Sequence, residues 1–350
     1  MTIASAASAF PKYYYPQSLL LSELQRVWSS KLEDPAVMNR LQSRLGVEGR
    51  YTALPVDEYE GLQKRWGAAN QHWIEVSQEL GEKALGCALQ RAGLGPTGID
   101  ALFFVSITGV ASPSIDARLI NRMGLSTNLK RIPIFGLGCV AGAAGIARAA
   151  DYVRAFPDHI AAVLSVELCS LTFQQNDLSL ANLISASLFG DGAAAVLVAG
   201  AERNLPGPAI LATRSVFYPD TEQVMGWDIS ELGFKIVLSR EVPEVIEQNL
   251  AADVDAFLAS QELTRADIQS WILHTGGPRV LEATERALSL PPGALDVSWA
   301  CLRRTGNLSS ASVLLVLEEV LMHKRPAPGT YSLLAAMGPG FCSELVLLRW

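Results

Sequence analysis

The sequence predicts an α/β fold of two duplicated halves, and three observations predict it. Helical and apolar-strand patterns alternate along the chain. Three short motifs recur in the same order in each half. A length of 350 residues exceeds the size at which a single core stops growing. At 49% hydrophobic and 18% charged, against about 25% charged in an average domain, the chain has much surface to bury. That excludes a disordered protein.

Residues 77–92 carry helical periodicity and end at Gly93-Leu-Gly-Pro96, where glycine and proline stop a helix. Residues 99–107 follow as a buried strand that stops at Thr108-Gly109. A strand over 132–135 turns through Gly136-Leu-Gly138 into a helix of small side chains over 140–152. Further strands cover 160–166 and 193–198. The second half repeats the plan. Residues 267–276 mirror 100–109, with an acidic start, a short strand and then Thr-Gly. Gly138-Cys139 is matched by Gly306-Asn307, each opening a small-residue helix, the second over 308–322. Gly190-Asp-Gly192 is matched by Gly338-Pro-Gly340, each feeding an apolar strand. The seam falls near Leu205-Pro-Gly-Pro208, dividing the chain into 1–205 and 206–350. A duplication places a functional site on its pseudo-twofold axis, which brings Cys139, His274 and Asn307 into one cavity.

A net charge of −7 argues against a nucleic-acid binder, which needs a basic face. No apolar run reaches the roughly 18 residues of a membrane span, and residues 1–10 lack the pattern of a secretory signal. The cysteines are odd in number, scattered and without a CxxC pair, so free thiols in the cytoplasm are expected. No metal-ligand spacing is present among His and Cys.

Cys139 follows a strand and a tight glycine turn, so it stands at a helix N-terminus. There the unpaired N–H groups favour a thiolate and the turn exposes the sulfur. The alternative is a small buried residue before an ordinary helix. His274 ends a strand ahead of Thr-Gly-Gly-Pro, where strand ends and loops build sites, and an imidazole near the thiol can hold a thiolate–imidazolium pair. Asn307 is either an N-cap or a donor that joins His274 in polarising a carbonyl. A Cys/His/Asn set without a metal points to acyl transfer through a thioester.

Five motifs stand in one order: Gly138-Cys139, Leu188-Phe-Gly-Asp-Gly-Ala-Ala-Ala195, Trp271-Ile-Leu-His-Thr-Gly-Gly-Pro278, Gly306-Asn-Leu-Ser-Ser-Ala311 and Gly338-Pro-Gly340. In this the chain resembles the type III polyketide synthases, the chalcone synthase-like family, over nearly its whole length. The resemblance implies a thiolase fold, layered αβαβα, in a homodimer. It implies that Cys139 takes a starter acyl group from acyl-CoA, while His274 and Asn307 hold malonyl-CoA through decarboxylation, with no metal or organic cofactor. It makes Phe189 a gatekeeper between the CoA tunnel and the cavity, and places Ile236, Trp227, Cys169, Thr172 and Ser309 against the substrate. Arg40 and Arg44, four apart on one helix face, fall on CoA-contacting positions, while a third such position is Val37.

The departures from plant chalcone synthases are Ile236 for a second gatekeeper phenylalanine, Trp227 for glycine, Cys169 for threonine, Ser112 for a methionine that reaches into the neighbouring subunit, and Ala336-Met337 for Gly-Phe. They resemble microbial alkylpyrone and alkylresorcinol synthases, which implies a fatty acyl starter and a pyrone or resorcinol-type product. A single-condensation ketoacyl synthase and a non-catalytic acyl-binding scaffold are the competing readings. Thiolases and hydroxymethylglutaryl-CoA synthases fit less well, since they need a second cysteine or an acid as base.

Overall fold

The computed structural model describes residues 1–29, 31–32, 36–62 and 66–350, apart from the side chains of residues 36, 39, 42 and 43. The front half contains strands β1 (Thr2–Ala9), β2 (Tyr13–Pro16), β3 (Gly49–Thr52), β4 (Ala101–Val105), β5 (Lys130–Ile134), β6 (Ile160–Leu168) and β7 (Asp191–Ala199). The rear half contains β8 (Ala209–Phe217), β9 (Met225–Ser230), β10 (Gly233–Leu238), β11 (Ile268–Leu273), β12 (Tyr331–Gly338) and β13 (Cys342–Arg349). Helices α1 (Gln17–Trp28), α2 (Ala36–Leu45), α3 (Tyr59–Leu62), α4 (Trp66–Arg91), α5 (Ile115–Met123), α6 (Ala141–Ala155) and α7 (Leu180–Leu188) belong to the first. Helices α8 (Val242–Ala259), α9 (Pro278–Leu288), α10 (Asp296–Thr305) and α11 (Ala311–His323) belong to the second.

The duplication is explicit in the strand order β11-β12-β13-β8-β1-β7-β6-β4-β5. Reading outward from the centre, β1 pairs antiparallel with β7, β7 antiparallel with β6, and β6 parallel with β4. From β8 the same sequence of pairings runs through β13, β12 and β11. β1 and β8 meet at Thr2 and Ala209, where the halves join. β1 was not foreseen, because its small and polar residues, TIASAASA, give little apolar signal.

Strand side chains alternate between two faces. Phe103, Val105, Ala161 and Val163 face a central core that also receives Ile272, Leu334 and Val346. Leu102, Phe104, Ala162 and Leu164 point the other way, onto α4 and α5. Trp271, Leu273, Leu333 and Leu345 likewise face α8 and α9. Helices α6 and α11 fill the central layer, which gives the five layers αβαβα. α11 is buried along most of its length, and α6 is buried except toward its C-terminal end, where Arg148, Asp151 and Arg154 are exposed. Small residues allow their close approach: a Cβ on Gly142 would lie 2.2 Å from the Ser310 carbonyl oxygen.

Candidate active site

Each expected site residue leaves a different element and returns to the same axis. After β5 the chain turns through Gly138, whose φ of +54° suits glycine. A Cβ there would also strike the Pro339 ring at 2.7 Å, and one on Gly338 would meet the Val140 nitrogen at 2.6 Å. The Gly338-Pro-Gly340 turn is therefore pressed against the Cys139 turn. Cys139 lies in a short turn of 3-10 helix before α6.

The opposite turn forms in the rear half. Gly306 has φ +70°, and a Cβ there would lie 2.4 Å from the Leu188 oxygen. The Asn307 N–H donates to Leu188 O at 3.0 Å and the Gly190 N–H donates to Asn307 O at 2.9 Å. Phe189 is thereby held in a strand-like bridge beside Asn307. Asn307 is not an N-cap: α11 starts at Ala311, and Asn307 Oδ1 accepts instead from the Ser309 N–H at 2.8 Å. Ser312 Oγ adds a weaker contact to Oδ1 at 3.4 Å. The amide is thus oriented, and its Nδ2 donates to Gly276 O at 3.3 Å, near the long limit for a hydrogen bond. His274 continues β11, donating its N–H to Ala335 O at 3.1 Å.

Cys139, His274 and Asn307 line a single cavity of about 520 Å³. Arg40, Arg44, Val37 and Phe189 line it too, as do Ala336 and Met337. The other expected contacts do not. Cys169, Thr172, Trp227 and Ile236 line a second chamber of about 110 Å³, and Phe189 is common to both. Ser309 lines neither; it is buried, with its Oγ 3.7 Å from Cys139 Sγ. Phe189 therefore stands on the wall that the two chambers share.

Two electrostatic expectations need correction. Cys139 is buried rather than exposed, and burial pushes its thiol up to about 12, with Ser309 opposing and the Glu167 charge reinforcing. Burial pulls His274 down to about 4. Both shifts favour the neutral thiol and imidazole over an ion pair, because desolvation penalises whichever form is charged. His274 Nδ1 is buried and meets no hydrogen-bond partner among the described residues.

The motifs assign no role to three buried polar groups around the site, although one of them, Asp191, stands within Gly190-Asp-Gly192. Arg50 donates to Gln17 Oε1 at 2.9 Å and to the carbonyls of Ala186 and Phe189, which fixes the backbone of the shared wall. Asp191 accepts from the Ala53 and Ser170 N–H groups at 2.6 and 2.8 Å, and burial raises it to about 6. Glu167 accepts from Ile107 N at 3.1 Å, Thr108 Oγ1 at 2.9 Å and Ser310 Oγ. A lone acid in the apolar strand Ile160–Leu168 was the available signal for it.

The model of chalcone and stilbene synthases, N-terminal domain, matches residues 7–202, and that of the C-terminal domain matches residues 209–350. The chain belongs to the chalcone and stilbene synthase family. These are type III polyketide synthases, acyltransferase-class condensing enzymes on a thiolase-like fold. Among its relatives, a 1,3,6,8-tetrahydroxynaphthalene synthase of Streptomyces peucetius subsp. caesius is 50% identical, with 100% of this chain and 93% of that protein aligned. A putative chalcone synthase of Bacillus subtilis is 43% identical over 72% of this chain and 71% of its own length. The crystal structure of 1,3,6,8-tetrahydroxynaphthalene synthase from Streptomyces coelicolor A3(2), a bacterial type III polyketide synthase, superposes with a TM-score of 0.92. It is 31% identical, with 100% of this chain and 99% of that chain covered. Among the described residues, no helix is long and apolar enough to cross a membrane.

Proposed function

We propose that this polyketide synthase loads an acyl group onto Cys139 from a CoA thioester and extends it with malonyl-CoA. The observation that carries the reading is the convergence of Cys139, His274 and Asn307 on one cavity with Arg40 and Arg44. Cys139 Sγ attacks the starter carbonyl, the C–S bond to CoA breaks, and the thiol proton ends on the departing CoA sulfur. A buried acceptor left unpaired costs less than a buried N–H left unpaired. On that ground we assign the lone pair to His274 Nδ1 and the proton to Nε2. Nε2–H and Asn307 Nδ2–H then bind the malonyl thioester oxygen. Loss of CO₂ leaves an enolate on that oxygen, and its carbon attacks the acyl–Cys139 carbonyl. The new C–C bond forms as the C–S bond breaks. Decarboxylation supplies the driving force, so no step passes through a metal or organic cofactor.

We further propose malonyl-CoA as both starter and extender, with a compact polyhydroxylated aromatic as product. The second chamber, about 110 Å³, has room for a short chain of alternating carbonyls and not for a long alkyl chain. The relatives named tetrahydroxynaphthalene synthases support the same reading. The fatty acyl starter and pyrone or resorcinol product expected from the motifs form the second reading, favoured by Leu41, Leu180 and Ile184 on the wall of the larger cavity. Labelled malonyl-CoA, alone and with a panel of acyl-CoA starters, decides between them. An aromatic product from malonyl-CoA alone supports the first reading, and a product that requires the acyl-CoA supports the second. Failure to consume malonyl-CoA under any condition contradicts both.

The proposal includes a cytoplasmic setting, supported by five free cysteines. It also includes a homodimer, supported by exposed Val110, in the loop after β4, and exposed Phe135, just after the edge strand β5. Light scattering checks the second.

A further inference from the structure

The cavity that holds Cys139 opens between walls from distant parts of the chain. Helix α2 supplies Arg40 and Arg44 on one side. Arg240, just before α8, and Arg279, in the first turn of α9, line the same cavity. All four side chains are exposed. Several other arginines sit on the protein's own acids: Arg122 on Glu82, Arg265 on Asp255, Arg286 on Glu247 and Arg304 on Glu319. Arg44, Arg240 and Arg279 hold no such carboxylate among the described residues. A chain of net charge −7 has thus left guanidinium groups uncompensated at the mouth of its reactive cavity. Clefts lined by one sign of charge concentrate ligands of the other.

We infer that Arg240 and Arg279 form a second cationic wall that binds the phosphates of the CoA nucleotide from the side opposite α2. The inference rests on the synthase reading above and adds to it a choice between thioester carriers. Val37, which also lines the cavity, leaves α2 without a third cation, and the facing arginines supply charge where that helix does not. Guanidinium forks bind phosphate oxygens in pairs, so two walls grip a pyrophosphate or a 3′-phosphate in a defined orientation. Pantetheine alone offers these residues nothing. Arg240 and Arg279 are therefore positioning residues, which act on the carrier and not on the reacting carbons.

The test compares malonyl-CoA with malonyl-pantetheine in Arg240→Ala, Arg279→Ala and Arg279→Lys. For malonyl-CoA, each alanine variant should raise KM about three- to tenfold while kcat holds, as loss of one partly exposed ionic contact implies. Lysine should restore part of the loss. The rise in KM with salt should be shallower in the alanine variants than in the wild type. For malonyl-pantetheine the variants should match the wild type. An equal loss on both thioesters, or an unchanged KM for malonyl-CoA in both alanine variants, overturns the inference. Calorimetry with CoA itself separates this from the synthase reading. A protein that turns over no malonyl thioester defeats that reading, yet weaker CoA binding in the variants would still support the second wall. Unchanged CoA binding would refute it.

Discussion

Removing the Asn307 amide should slow malonyl-CoA decarboxylation by about 10²–10³, or about 2.7–4 kcal/mol, the usual worth of one oxyanion donor. The structure gives the reason the full amount applies. Oδ1 is engaged by the Ser309 N–H at 2.8 Å, so the amide cannot rotate freely. Among the described residues Nδ2 has only the long contact to Gly276 O at 3.3 Å, which leaves its donor capacity for an incoming oxygen. Asn307→Ala deletes both functions. Asn307→Asp keeps the acceptor for Ser309 but sets a carboxylate oxygen where the donor stood, so it should fall at least as far. The loop itself has a separate anchor, since the Leu308 N–H donates to Ser312 Oγ at 2.7 Å. The assay is release of labelled CO₂ from malonyl-CoA, run beside a measurement of Cys139 acylation. Acylation should persist, because Asn307 is assigned to the enolate. CO₂ release within about threefold of wild type in both folded variants would refute the reasoning.

His274→Gln should remove a pH-dependent weakness. The folded imidazole titrates at about 4 against 6.5 in the unfolded chain. Acid therefore protonates the unfolded state first, and stability falls as pH drops through that window. About 2 kcal/mol should be lost between pH 6.5 and pH 5 in the wild type relative to the variant, read by urea unfolding at both pH values. Trp227→Gly should change product length or starter range, because the indole lines the second chamber while its Nε1–H donates to Ile107 O at 3.0 Å. It should also cost about 3 kcal/mol of stability; an identical product profile by mass spectrometry would make the residue mere packing. Gly142→Ala should sharply lower the thermal midpoint, since its Cβ would meet a backbone oxygen at 2.2 Å, whereas Gly86→Ala in α4 meets only Met123 Cε at 3.9 Å and should be neutral or slightly stabilising.

What was legible in the sequence was local chemistry multiplied by the repeat. Glycines at 138 and 306 announce turns, and matching the halves brings Cys139, His274 and Asn307 to one axis. Properties that depend on neighbours far along the chain were not legible. The Cys139 elbow reads as exposed, yet the Gly338-Pro-Gly340 turn and Ser309 close over it. Phe189 is held on the wall between two chambers by Arg50, which donates to its carbonyl, and by its bridge to Asn307, both distant in the chain. The α11 start shifted because the Asn307 side chain turns back onto Ser309, competing with the helix it seemed to cap. Arg240 and Arg279 carry no motif, and only the folded chain brings them to the cavity that α2 also lines.

Digestion and mass mapping after brief incubation with a malonyl- or acyl-CoA tests the central claim most directly. The expected result is a single thioester on Cys139, absent from Cys139→Ala. An adduct on Cys87, Cys169, Cys301 or Cys342 instead, or turnover with Cys139 replaced, would contradict it.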